Sequence, residues 1–211
     1  MSENESDFDV SLTAAINGDQ AALAKLFESQ RDRIKRMIQL RMDHRLRGRI
    51  DASDVLQETY LDVSRRLKTY DRDASLPFFL WLRLLAQQRL IDLHRQHLGA
   101  KMRTTEQETA LGGDDFLAAS SDSIAEAFAS RLTTASQAAI RTELQQHVRR
   151  ALTTMEPLDR EILALRHYEM LSNEEAAVVL KLKKTAASNR YIRALRRFRE
   201  HLGNDVWEQL Q

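Results

Sequence analysis

Cysteine is absent from the 211 residues. That excludes disulfides and thiolate metal sites, and it fits a reducing compartment such as the cytoplasm. Glycine and proline are scarce, at 6 and 2 residues, too few for a fold built from many strands and tight turns. No stretch approaches the roughly 20 apolar residues of a membrane span. The longest, Leu76 to Ala86, is interrupted by Pro77 and Arg83. The segment Met1 to Asp9 is acidic and polar, unlike a signal peptide or targeting helix. Phosphate-binding Gly-rich loops, nucleophile elbows and metal-spaced histidines are all missing, so the sequence gives no sign of an enzyme or of a bound cofactor. The formal net charge is only +1, which by itself points to no polyanionic partner.

What is present is helix-forming. Ala, Leu, Gln, Arg and Glu abound, the apolar fraction is 43%, and few long segments favour strand, so an all-α fold is expected. Ser11 is a candidate N-cap for a short helix through Leu12, Ala15 and Ile16. Gly18-Asp19 breaks it, and Asp19 can cap a second helix running through Leu23, Leu26, Phe27, Ile34, Met37, Ile38 and Met42. Asp51 or Ser53 can cap a third helix, with Val55, Leu56, Thr59, Tyr60, Val63 and Leu67 as its apolar face. Pro77 suits the first turn of a fourth, through Trp81, Leu85 and Leu90 to about His94. These helices predict one bundle over residues 10–100.

Residues 101–137 are rich in Ser, Thr, Ala and acids. They read as a flexible acidic linker with room for a short helix near Ile124 to Leu132. A second helical domain follows over 138–203. In it Ser172 and Glu175 form a capping-box pattern, and two helices flank Lys181 to Lys184 in the manner of a helix-turn-helix.

The near-neutral total hides alternating fields. Lys25 to Arg49 holds nine basic residues against three acidic ones, and Thr104 to Ser130 holds six acidic residues and no basic one. Lys181 to His201 carries eight Lys or Arg and a single acid, Glu200. A solvated helix face usually mixes signs, so this last segment points to DNA. Lys183, Lys184, Thr185, Ser188 and Asn189 lie where a major-groove helix meets base edges or phosphates. Arg190, Arg193, Arg196, Arg197 and Arg199 follow as backbone contacts.

Two further places invite a function. The helix from Trp81 carries Arg83, Arg89 and Arg95, a candidate phosphate path. Phe79 and Trp81 could stack on an unpaired base, although Trp81 also sits at core spacing. On the third helix Asp54, Gln57, Glu58 and Asp62 share a side at three- and four-residue spacing. One helix cannot assemble a two-metal site. That face is therefore either a solvated surface or a docking surface for a protein, with Leu56 or Leu61 at its centre.

These segments resemble, in order, those of the sigma-70 family of bacterial RNA polymerase sigma factors, in its extracytoplasmic-function subfamily. Asp54-Val-Leu-Gln-Glu-Thr-Tyr-Leu-Asp-Val63 resembles the family's helix for docking on core polymerase. The resemblance implies that Asp54, Gln57, Glu58 and Leu61 contact the clamp coiled coil. Trp81-Leu-Arg-Leu-Leu-Ala-Gln-Gln-Arg-Leu-Ile-Asp-Leu-His-Arg95 resembles the promoter-melting helix, with Gln88 where Asn is usual. It implies minus-ten contacts by Arg83, Gln87, Gln88, Arg89 and Arg95, a flipped base held by the loop from about Thr69 to Leu76, and a largely structural Trp81.

Residues from Leu158 to Phe198 resemble region 4, which reads the minus-thirty-five element. Within them Lys181-Leu-Lys-Lys-Thr-Ala-Ala-Ser-Asn-Arg190 stands where the family has Gly-hydrophobic-Ser-x-x-Thr-Val-x-x-Arg. Lys183, Lys184, Thr185, Ser188, Asn189, Arg190, Arg193 and Arg197 are the implied contacts. The resemblance implies a non-catalytic specificity subunit. Its partners would be core RNA polymerase and promoter DNA, with an anti-sigma factor as a candidate regulator. The competing reading is a conventional helix-turn-helix regulator that binds operator DNA without polymerase.

Overall fold

The computed structural model describes residues 3–46, 48–70, 76–98, 118–132 and 138–203. All regular structure among them is helical. The chain divides into two compact units, Met1–Gly99 and Ala100–Gln211.

The first unit holds α1 (Glu3–Ile16), α2 (Gln20–Arg41), α3 (Ala52–Arg66) and α4 (Phe78–Leu98). α1 begins well before Ser11, which lies inside it. The apolar stripe of Leu12 and Ala15 extends back one turn to Phe8, whose ring meets Phe78 edge-on at 5.9 Å. Gly18, at φ +103°, makes the turn into α2. Asp19 caps α2 by accepting from the backbone N–H groups of Ala21 and Ala22. Asp51 and Asp54 close a reciprocal capping box at the start of α3.

α2 is the hub of this unit and packs on α1, α3 and α4. Its Ile34, Met37 and Ile38 are fully buried, as are Val55 and Val63 of α3 and Leu82, Ala86 and Leu90 of α4. Each large side chain so buried contributes about 2 kcal/mol against the entropy of ordering the chain.

The second unit holds α5 (Ser121–Leu132), α6 (Ala138–Thr153), α7 (Pro157–Leu163), α8 (Asn173–Val179) and α9 (Lys184–Leu202). A wider π-helical turn, Ala164–Tyr168, ends α7. α5 takes in the short helix expected near Ile124 to Leu132 and belongs to the second unit. It packs against α6 with Ile124, Ala125 and Ala129 buried, and Phe128 meets Phe198 of α9 edge-on at 6.0 Å. The buried Glu161 carboxylate accepts the Ala119 N–H at 3.2 Å, fastening the approach to α5. Small residues one turn apart allow this close packing, and a composition rich in Ser, Ala and acids conceals it. The remainder of the expected linker, 101–117 and 133–137, lies outside the described residues.

Candidate nucleic-acid interface

α8 and α9 form the helix-turn-helix. The turn is a Schellman motif: Leu182 N–H donates to Ala177 C=O at 2.8 Å and Lys181 N–H to Val178 C=O at 3.1 Å. Lys181 therefore takes φ +53°, the left-handed conformation that favours glycine. α8 is fixed at its start by the Ser172–Glu175 capping box, and the Asn173 amide donates to the Lys184 carbonyl at 3.0 Å. α9 then buries Ala187, Ala194, Phe198 and Leu202 and turns the opposite face outward.

On that outer face Lys183, Lys184, Thr185, Asn189 and Arg193 are exposed and Ser188 is half-buried. Lys184 is ion-paired with Glu174, and its hydrogen bond holds the Glu174 carboxyl below its usual range. Arg190 and Arg197 are both ion-paired within the second unit. Both guanidinium groups reach the buried Asp159 carboxylate at 2.7 Å, and both approach Glu156, at 3.5 and 3.4 Å. The hydrogen bond to Asp159, followed by the charges of Asp159 and Glu156, raises the Arg197 pKa above its already high usual value.

These two arginines clamp α9 to the start of α7. Arg197 stays 44% exposed at its side chain and Arg190 only 23%. Asp159 was not singled out from sequence. Its one signal is an acid in the first turn of α7. Ala186 and Ile192 are both exposed, although apolar residues at helical spacing read as core.

α4 departs further from expectation. Arg83 and Gln87, assigned to minus-ten DNA, are interior, at 2% and 3% exposure, and Arg83 Nη1 donates to Gln87 Oε1 at 3.2 Å. Both lie on the buried side of α4, where polar groups must find their hydrogen bonds inside the protein. Phe79 is buried too, with the Arg33 guanidinium 3.5 Å above its ring, which closes it to a base. Trp81 is half-buried in a cluster with Tyr70 and Phe78, at centroid distances of 5.1 and 5.9 Å. Gln88 is half-buried and its amide donates to Asp92 at 3.4 Å; Arg95 is exposed. Residues 71–75 of the expected base-holding loop lie outside the described residues.

On α3, Asp54, Gln57, Glu58 and Leu61 follow one another along a single outward face. Gln57 is exposed and Leu61 is 46% exposed. Asp54 is exposed but already accepts the Asp51 N–H at 2.9 Å. Glu58 and Asp62 hold Arg89 of α4 at 3.2 and 2.7 Å, so the acidic face and the basic helix share one ion-pair node.

Comparison with known proteins adds to this geometry. Residues 145–198, covering most of α6 and all of α7 and α8 into α9, match the sequence profile "Sigma-70, region 4". No curated protein matches the chain in sequence. The solved structure of CnrH in complex with the cytosolic domain of CnrY is 20% identical, with a TM-score of 0.53 over 91% of this chain and 94% of that one. It has the same two-unit, all-helical fold. A second structure, the RsbN-BldN complex, is also 20% identical over 89% of this chain and 96% of that one. Its TM-score of 0.33 is too low to define a common fold.

Proposed function

We propose that the chain is a sigma factor of the sigma-70 family, in its extracytoplasmic-function subfamily, which binds core RNA polymerase, directs it to promoters and assists opening of the DNA; the region 4 match and the shared fold support this reading. It is a non-catalytic specificity subunit; bond formation belongs to the polymerase. The observation that carries this reading is the helix-turn-helix within the region 4 match. Its recognition helix turns Lys183, Thr185, Asn189 and Arg193 outward from a frame locked by Asp159.

For the first unit, the outward stripe of Asp54, Gln57, Glu58 and Leu61 is the proposed polymerase-docking face. An exposed leucine among acids and an amide suits a partner surface with basic groups around an apolar dent. Gln88, Arg89 and Arg95 are the proposed minus-ten contacts, with Arg89 also held by the docking helix. Arg83 and Gln87 would support them from the interior. Lys183, Lys184, Thr185, Ser188, Asn189 and Arg193 are the proposed minus-thirty-five contacts; Arg190 and Arg197 position the helix and can add a phosphate contact at their exposed edges. The similar structure pairs CnrH with the cytosolic domain of CnrY. A protein partner of this kind, an anti-sigma factor, is proposed here as a regulator.

The test is initiation in vitro with the purified chain and sigma-free core polymerase on a promoter library. Promoter-dependent transcripts are expected, and Glu58→Lys should weaken core binding at least tenfold. Operator binding with no dependence on core polymerase, and no transcript from any template, would favour a conventional regulator instead.

A further inference from the structure

The outer face of α9 mixes cations with carbon in a pattern that bears on which bases it can read. Ala186, Asn189, Ile192 and Arg193 recur at helical spacing. With Leu182 from the turn and with Arg190 they line one shallow concavity. Ile192 is 53% exposed, and Ala186 is exposed about one and two-thirds turns before it. Apolar side chains left in water on a recognition helix gain most by covering carbon on the partner. In a major groove the carbon available is the thymine 5-methyl group.

The polar groups around this dent are not equally free. Arg190, whose fork could read guanine O6 and N7, has Nη1 2.7 Å from Asp159 Oδ1 and 3.5 Å from Glu156. Lys184 is engaged by Glu174. The Asn189 carboxamide, by contrast, is exposed and makes no hydrogen bond among the described residues. A carboxamide matches adenine N6–H and N7 as a bidentate pair, and an adjoining thymine would place its methyl group beside that pair.

Resting on the sigma-factor reading, we propose that this chain's upstream promoter element contains an adenine read by Asn189 and an adjoining thymine whose methyl group enters the dent formed by Leu182, Ala186 and Ile192. Arg193 flanks the dent and takes the neighbouring phosphate. The specificity is thus tilted towards A·T pairs by what the fold withholds, the Arg190 fork, as much as by what it presents.

The experiment is a selection with holoenzyme, the full chain on core polymerase, from promoters randomised in the upstream element. A fixed adenine with an adjoining thymine is expected. Asn189→Ala should lower affinity for the selected element about tenfold and erase the preference at the adenine. Uracil in place of the thymine should weaken binding about threefold for the parent protein. It should have no effect on Ile192→Ser, whose altered side chain is exposed and leaves the core intact. A selected element without an A·T pair at these positions, or an Asn189→Ala logo equal to the parent's, overturns the inference and leaves the sigma-factor reading standing. No enrichment of any promoter overturns both.

Discussion

Lys181 sits at the one position of the helix-turn-helix where the backbone itself favours a different residue. Its φ of +53° carries the Schellman turn, and a β-carbon there costs about 1 kcal/mol relative to glycine. Lys181→Gly is expected to raise stability by about 0.5–1 kcal/mol, read as a higher urea midpoint at unchanged slope. A second residue-scale consequence concerns His94. It is 4% exposed, and its Nε2 accepts the Asp43 N–H at 3.3 Å, which requires the neutral ring. Burial lowers its pKa below the usual 6.5, the Asp43 carboxylate opposes that shift and the Arg45 guanidinium adds to it. In the window below 6.5 the unfolded chain binds a proton that the folded chain refuses. Stability should therefore be full above that pH and fall as the pH drops towards the folded value. Urea midpoints at pH 7.5 and 5.5 should differ for the parent protein and converge for His94→Gln. Asp43, held at about 2 chiefly by the hydrogen bond from Arg45, titrates below this window.

Among elements, α5 changes most in meaning. It lies in a segment whose composition reads as linker, yet it buries Ile124, Ala125 and Ala129 against the second unit. Ile124→Asp places a charge at a site 2% exposed. It should cost about 3 kcal/mol and strip hydrogen-exchange protection from α5 and the facing side of α6. Unchanged protection would return α5 to the linker. α7 and α9 form the other informative pair. Asp159 gives α9 its orientation through two arginines placed seven residues apart, two helical turns along one stripe. The spacing of Arg190 and Arg197 reads from sequence as a phosphate-binding row. The same spacing lets both reach one buried acid, and only the position of α7 distinguishes the two.

At the scale of the whole molecule, a net charge of +1 is divided into strongly opposed segments. On the proposed function, binding to DNA depends on local faces rather than on total charge, and its salt dependence counts the arginines and lysines that meet phosphate. Arg193→Ala is expected to reduce the slope of log affinity against log salt by about 1 in holoenzyme–promoter titrations. Arg190→Ala should instead lower the melting temperature, since it strips a partner from buried Asp159. Equal slope changes for the two would mean that the clamp on Arg190 opens on DNA. None of the described helices is long and apolar enough to cross a membrane.

The helices themselves follow from local chemistry. Asp19, Asp51 and Ser172 cap where short polar side chains precede an apolar period, because N-capping and 3.6-residue spacing are properties of a few consecutive residues. The helix-turn-helix was equally legible, since it rests on a linear pattern, and residues 145–198 match the region 4 profile. Which charges are available was not. Arg83, Gln87, Arg190 and Arg197 carry the groups expected of DNA contacts. The first two face the interior, and the others are held by an acid on a different helix. Sequence spacing fixes which side chains share a face. Only helix packing decides whether that face meets water, a core or an opposite charge, because that outcome depends on residues tens of positions away.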